Sequence, residues 1–210
     1  MPFAVGLFGK AKTQGDDHLR KHAFSLGSLL VIVLCFFCLL PKNASGSKYE
    51  RSVEKVAIPD VVLVNQDGKR VRFKTLLESD KPVIVDFIYA TCTTICPVLS
   101  AGFSSMQRKL GPHSEDVQLV SVTIDPENDT PQVMKEYLER YRARPGWDFL
   151  TGNPRDIDRV AEAFNAFVGD KMEHLPLNFI RTSENGKWVR LYGLMSSREF
   201  MDEFQKAGGK

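Results

Sequence analysis

The sequence has almost no excess of charge of either sign, which bears on the partners it can bind. It holds 28 Lys and Arg residues against 26 Asp and Glu residues, a formal net charge of +2. Four basic and two acidic residues lie before residue 22, so 24 of each remain from Pro41 to the end. Binding to a nucleic-acid backbone needs a basic surface, and we therefore expect no nucleic-acid partner.

Charge is absent altogether from one segment, Ala23 to Leu40, which reads AFSLGSLLVIVLCFFCLL. A helix of this length would extend about 27 Å, close to the thickness of the hydrocarbon core of a membrane. We therefore predict a cytoplasmic head at residues 1–22, a transmembrane segment at 23–40 and a tether at 41–57. The segment is either retained as an anchor, which we favour, or removed as a signal peptide near Ala44.

The position of the basic residues predicts where the rest of the chain lies. They precede the apolar segment, so we expect the N-terminus to stay in the cytoplasm and the remainder to be exported. The expected location is the inner (cytoplasmic) membrane, with a single span and a soluble domain in the periplasm. The mitochondrial inner membrane is less favoured, because the head contains acidic residues and is poor in Arg and Ser.

Internal repeats and low-complexity tracts are also absent, so we predict one domain over residues 58–210. Two apolar, β-branched runs, Val83 to Tyr89 and Val117 to Ile124, are typical of central strands buried on both faces. Asp67-Gly68 and Asn185-Gly186 predict hairpin turns between further strands. One helix is predicted to end near Leu110, and three more are predicted at residues 131–141, 156–167 and 197–206. This alternation indicates an α/β sandwich with a mixed central sheet.

Cysteine is scarce, with four residues in two pairs. Cys35 and Cys38 lie in the apolar segment, where cysteine behaves as a small hydrophobe, and we assign them no function. Cys92 and Cys96 lie where a buried strand is predicted to lead into a helix, a position that would place both on one helix face. A helix N-terminus favours thiolates. The pair could exchange as a redox-active disulfide, hold a soft metal such as Cu(I), or form a buried structural disulfide.

Two longer stretches carry a resemblance to a known family. The first is VDFIYATCTTICP at residues 85–97, and the second is SVTIDPENDTPQVMKEYL at residues 121–138. With His174 shortly before a late strand, they resemble the SCO/SenC proteins of cytochrome c oxidase assembly. The resemblance implies a thioredoxin-like fold after one N-terminal transmembrane helix. It also implies a copper site, for Cu(I) or Cu(II), made of Cys92, Cys96 and His174.

Three other side chains near these motifs have alternative roles. We expect Asp129 to cap the following helix, with Gln132 completing a capping box. Asp125 ends a strand, and it either has a structural role or supports the site through a hydrogen bond to a ligand. Met172 lies two residues before His174; we favour packing in its loop over contact with copper.

Four functions are compatible with these motifs. We favour a copper-binding assembly factor that delivers copper to the binuclear centre of a respiratory cytochrome oxidase. Its partners would be the oxidase subunit bearing that centre and a copper donor protein or thiol reductant, and handover would need a fairly exposed site. The alternative is a thiol-disulfide oxidoreductase with Cys92 and Cys96 as its redox pair. A peroxide-reducing enzyme, which would use a single peroxidatic cysteine, and a purely structural interaction domain are less favoured.

Overall fold

The computed structural model describes residues 49–181 and 186–209. The predicted head, the apolar segment Ala23 to Leu40 with its two cysteines, and the first part of the predicted tether lie outside these residues. Among the residues that are described, no helix combines the length and apolar character needed to cross a membrane.

The described residues form eight strands in one sheet, five α-helices and two 3-10 turns. The strands are β1 (Glu50–Lys55), β2 (Val62–Asn65), β3 (Arg70–Arg72), β4 (Val83–Ile88), β5 (Gln118–Thr123), β6 (Trp147–Thr151), β7 (Leu177–Arg181) and β8 (Lys187–Tyr192). The helices are α1 (Phe73–Leu77), α2 (Cys96–Leu110), α3 (Pro131–Arg140), α4 (Pro154–Ala163) and α5 (Ser197–Lys206). The 3-10 turns are Gly111–Asp116 and Lys171–Glu173.

The sheet is mixed, in the order β1-β8-β7-β4-β5-β6-β2-β3. Its centre, β4-β5-β6, is parallel, and all other neighbours are antiparallel. Every residue of β4 and β5 is buried, as the two apolar runs predict. The two strands run in register from Val83 beside Gln118 to Ile88 beside Thr123. Their carboxyl ends therefore meet at one edge of the sheet, where the loops that follow them come together.

Helices cover both faces of the sheet, which confirms the predicted α/β sandwich with a mixed central sheet. One hydrophobic core packs α2, α3 and α5 against the sheet, and the other packs α1 and α4. In the second core Phe164 contacts Phe87, Phe179 and Trp188, with ring centroids 5.6, 5.0 and 5.3 Å away. Such tilted and edge-on aromatic contacts add to the stabilisation that burial of apolar surface provides.

The helix predicted at 156–167 is shorter in the structure and begins earlier. Asn153 caps α4, its side-chain oxygen accepting a hydrogen bond from the backbone N–H of Arg155, and the helix ends at Ala163. Asn165 has a φ of 50°, in the left-handed region that ends helices. Phe167, the last residue of the predicted helix, lies beyond α4 and is exposed.

The predicted tether was wrong for residues 50–55, which form the edge strand β1. This strand pairs antiparallel with β8 along its whole length, from Glu50 beside Tyr192 to Lys55 beside Lys187. None of its residues is fully buried, so it carries no alternation of apolar and polar residues that would predict a strand. Backbone hydrogen bonds to β8 and polar contacts to α5 hold it instead.

Those polar contacts converge on Glu203, which is buried on α5. Its carboxylate accepts hydrogen bonds from the Tyr49 hydroxyl at 2.9 Å, Arg51 Nε at 2.7 Å and Lys206 Nζ at 2.7 Å. We expect Glu203→Ala to lower the free energy of unfolding by about 2–3 kcal/mol, because charge-assisted bonds to a buried group are lost. Urea denaturation measures this loss. Asp202→Ala, at an exposed position of the same helix, is the control and should change little.

Candidate metal centre

Cys92 and Cys96 lie on opposite sides of a helix boundary. The helix α2 begins at Cys96, whereas Cys92 lies in the preceding turn, its backbone N–H donating to Tyr89 O at 3.2 Å. Our prediction that both share one helix face was therefore wrong. A helix through both would need Pro97 to donate a hydrogen bond to the carbonyl of Thr93, and proline has no N–H. Pro97 is instead accommodated in the first turn of α2.

The loop that carries Cys92 is held by Asp129. This buried carboxylate accepts the backbone N–H of Ala90 at 3.2 Å and the Thr123 hydroxyl at 2.5 Å. Asp129 is not the helix cap we predicted. Thr130 is the cap, accepting the Val133 N–H at 3.4 Å. The N–H of Ala90 is buried and has to be satisfied, so Asp129 serves the loop and the next residue takes the cap position.

His174 reaches the two cysteines from the loop before β7. Because β7 runs antiparallel beside β4, its first residues lie at the edge where β4 ends. His174 Nε2 lies 3.1 Å from Cys96 Sγ and 3.7 Å from Cys92 Sγ. The three candidate ligand atoms all lie within 4.8 Å of one another. The structure thus brings together the three side chains that the resemblance implied.

The surroundings of His174 determine which ring nitrogen faces the cysteines as an acceptor. Its Nδ1 lies 3.0 Å from the carbonyl oxygen of Lys171. A carbonyl only accepts, so Nδ1 carries the hydrogen and Nε2 has a free lone pair. Burial lowers the pKa of His174, although the hydrogen bond to Lys171 acts in the opposite direction. The ring is therefore neutral at pH 7 and can ligate a metal through Nε2.

The two thiols differ strongly in acidity. Burial by itself would raise the pKa of Cys92, but hydrogen bonds from Thr94 and Cys96 outweigh it and lower the pKa to about 7. The Thr94 hydroxyl lies 3.5 Å from Cys92 Sγ. Burial raises the pKa of Cys96 well above its ordinary value, and the nearby charges of Cys92 and Asp86 add to that effect. We had expected the helix N-terminus to favour the thiolate of Cys96. It does not, because burial of Cys96 raises its pKa by more than the helix N-terminus lowers it.

The site is more enclosed than we expected for a group that hands over a metal. Cys92 is 6% exposed, Cys96 0% and His174 8%. The Tyr89 ring packs edge-on against the His174 ring, with centroids 5.1 Å apart. A partner can therefore reach the ligands directly only if the loop carrying His174 or the one carrying Cys92 moves.

Met172 and Asp125 both contact residues that adjoin the three-residue cluster. Met172 is 69% exposed, and its sulfur accepts a hydrogen bond from the Tyr89 hydroxyl at 3.3 Å. Met172 is therefore not buried in a core, and its contact in the loop is with Tyr89. Asp125 accepts hydrogen bonds from Asn128 at 2.8 Å and from Lys171 at 2.5 Å, and it reaches none of the three candidate ligands.

Our sequence analysis missed three residues that shape this site. Tyr89 and Thr94 belong to the first motif, so their proximity to Cys92 could have been considered from the sequence. Lys171 is different, because its contact with His174 uses a main-chain carbonyl in an irregular loop. No residue pattern reports such a contact.

Comparison with known proteins assigns the chain to a family. A family model described as SCO1/SenC matches residues 51–201. The chain belongs to the SCO1/SenC family. A curated relative, the SCO1 protein homolog of Bacillus subtilis, is 29% identical over 178 residues, covering 81% of this chain and 89% of the relative.

Solved structures of SCO1/SenC proteins share the fold. ScoI of Bradyrhizobium japonicum, solved with copper bound, is 27% identical, with a TM-score of 0.59 over 72% of this chain and 99% of its own. BsSco, a Sco-family cytochrome c oxidase assembly protein in which a disulfide switch was identified, is 28% identical. Its TM-score is 0.62, over 74% of this chain and 95% of its own. These similarities confirm the thioredoxin-like α/β fold.

Proposed function

We propose that this SCO1/SenC protein carries copper on Cys92, Cys96 and His174 and delivers it to the binuclear copper centre of a respiratory cytochrome oxidase. One observation supports this above all others: two thiol sulfurs and an imidazole nitrogen, supplied by two separate segments of the chain, lie within 4.8 Å of one another. Thiolates are soft ligands that select Cu(I), and imidazole also suits copper. The donor set therefore fits copper as a cargo.

The protonation states of the three candidate ligands indicate which proton is released when copper binds. His174 is neutral with its Nε2 lone pair facing the sulfurs, and Cys92 is partly ionised at neutral pH because its pKa is about 7. Cys96, with its raised pKa, keeps its proton until a metal replaces it. Copper binding is therefore accompanied by release of the Cys96 proton, and the affinity rises with pH.

The location that we propose follows from the sequence. Ala23 to Leu40 would anchor the chain in the inner membrane, and the domain described here would lie in the periplasm. There it would receive copper from a donor protein or electrons from a thiol reductant. The recipient would be the oxidase subunit that bears the copper centre.

Copper titration of the reduced full chain tests this function. All proteins carry Cys35→Ser and Cys38→Ser, so that Cys92 and Cys96 are the only thiols. We expect one Cu(I) per chain to be retained against a competing chelator, and Cys92→Ser, Cys96→Ser and His174→Ala each to weaken that binding. His113→Ala changes an exposed histidine of the 3-10 turn after α2 and is the matched control. Loss of binding in the control alone, or in no variant, contradicts the proposed site.

A second function, thiol-disulfide exchange, is supported by the unequal acidity of the cysteines. A thiol with a pKa near the ambient pH is the best attacking group in disulfide exchange, and Cys92 has that property. Exchange needs only the cysteine pair. If the chain binds copper weakly, His174→Ala has no effect, and Cys92 and Cys96 cycle readily with a thiol donor, this second function replaces the first.

A further inference from the structure

Lys171 makes one main-chain contact and one side-chain contact beside the candidate metal centre. Its main-chain carbonyl accepts the Nδ1–H of His174 at 3.0 Å and the His174 backbone N–H at 3.3 Å. Its side-chain ammonium pairs with Asp125 at 2.5 Å. One residue thus connects the ring of His174 with the loop that follows β5.

Asp125 provides a rigid anchor for this connection. The residue is buried, its backbone N–H donates to the Thr123 hydroxyl at 2.9 Å, and its carboxylate also accepts from Asn128. The Thr123 hydroxyl in turn donates to Asp129, the carboxylate that holds the Cys92 loop at Ala90. The ion pair of Lys171 therefore fixes the His174 loop to the same end of β5 that supports the cysteine loop.

The segment that carries His174 has little regular structure of its own. The 3-10 turn Lys171–Glu173 is three residues long, and its N-terminus is capped by Asp170, which accepts the Met172 N–H at 2.8 Å. That cap stabilises the turn locally and does not reach the β5 end. The Lys171 ammonium also lies 5.5 Å from the centre of the Tyr89 ring, the ring that packs against His174.

We propose that Lys171, through its ion pair with Asp125, is a positioning residue that holds the His174 imidazole in place for copper. This inference rests on the proposed copper site. Lys171 does not ligate copper itself, because its charged ammonium has no lone pair to donate. It acts on the site only through the orientation of His174. Partners that orient a metal-ligating histidine in this way commonly change metal affinity by 10- to 100-fold when removed.

Competition titration of the reduced full chain with a Cu(I) chelator tests the proposal, in the same Cys35→Ser/Cys38→Ser background. We expect Lys171→Met to weaken Cu(I) binding by roughly 10-fold or more, and Asp125→Asn to weaken it similarly. Lys171→Arg keeps the positive charge and should retain most of the affinity. Lys135→Met breaks the exposed pair of Lys135 with Asp67, which is remote from the site, and should leave the affinity unchanged.

A double-mutant cycle separates positioning from a general loss of structure. If Lys171 acts through His174, Lys171→Met has no further effect on affinity in the His174→Ala protein. The rate at which Cys92 and Cys96 exchange with glutathione should also stay within about twofold, since exchange does not use the histidine. Additive losses in the cycle, or unchanged affinity in Lys171→Met, overturn the positioning role. If His174→Ala itself has no effect, it is the proposed copper site that fails.

Discussion

Asp86→Asn is expected to remove a loss of stability of about 4 kcal/mol that the folded protein suffers between roughly pH 4 and pH 7. Asp86 lies in the centre of β4 and is fully buried. Among the described residues, neither of its carboxylate oxygens has a hydrogen bond of normal geometry. Burial raises its pKa from 3.8 to about 7, and the Ser121 side chain on the neighbouring strand offsets only part of that rise.

The sign of the effect follows from the two protonation states. In the unfolded chain the carboxyl ionises near pH 4, whereas in the folded protein it holds its proton until about pH 7. Below pH 4 both states are protonated and folding carries no penalty from this group. As the pH rises, the unfolded state loses its proton first, so the stability of the folded protein falls and reaches its full deficit above pH 7. Asparagine has a similar shape and cannot ionise.

Urea denaturation of both proteins at about pH 4.5 and pH 8.5 measures this effect. Relative to the parent, Asp86→Asn should gain about 3 kcal/mol of stability between the two pH values, because about 1 kcal/mol of the full effect is already present at pH 4.5. Taking the difference between the proteins cancels much of the contribution of other titrating groups, including Cys92. Asp158→Asn, at an exposed position of α4, is the control and should show no such gain. An equal difference at both pH values would mean that Asp86 is already ionised at low pH.

The parts of the fold that sequence analysis predicted well are those whose burial leaves a periodic pattern. The runs that became β4 and β5 are apolar throughout because both faces of these strands are covered. The edge strand β1 has no such pattern, because it is held by backbone pairing and by the contacts of Tyr49 and Arg51 with Glu203. Those contacts cross about 150 residues of sequence, which local reasoning does not detect.

The candidate site divides in the same way. Cys92 and Cys96 stand out in the sequence through their spacing and the proline that follows, whereas His174 was identified only through the family resemblance. Asp129 shows how a local rule fails. It lies two residues before the proline that starts a helix, a pattern typical of a helix cap. The buried N–H of Ala90 needs an acceptor, however, so the Asp129 carboxylate binds Ala90 and Thr130 caps the helix.

Cys92 is expected to be alkylated roughly 100-fold or more faster than Cys96 at pH 7, since the thiolate is the reactive form. With a pKa of about 7, half of Cys92 is ionised at that pH. Cys96 has a pKa above its ordinary value of 9 and is completely buried, so less than about 1% of it is ionised. The difference identifies Cys92 as the sulfur that first meets an electrophile, a disulfide or a metal.

Limited reaction of the reduced Cys35→Ser/Cys38→Ser chain with iodoacetamide measures this ratio, with fragment-ion spectra locating the single modification. The rate at Cys92 should rise with pH through a midpoint near 7. Thr94→Ala should move that midpoint upward, because the Thr94 hydrogen bonds that stabilise the thiolate are weakened. Thr93→Ala, at the exposed neighbouring position, is the matched control and should leave the midpoint unchanged. Comparable alkylation rates at the two cysteines would contradict this expectation and would show that Cys96 is also ionised and accessible at pH 7. Copper uptake would then not need to displace a tightly held proton from Cys96.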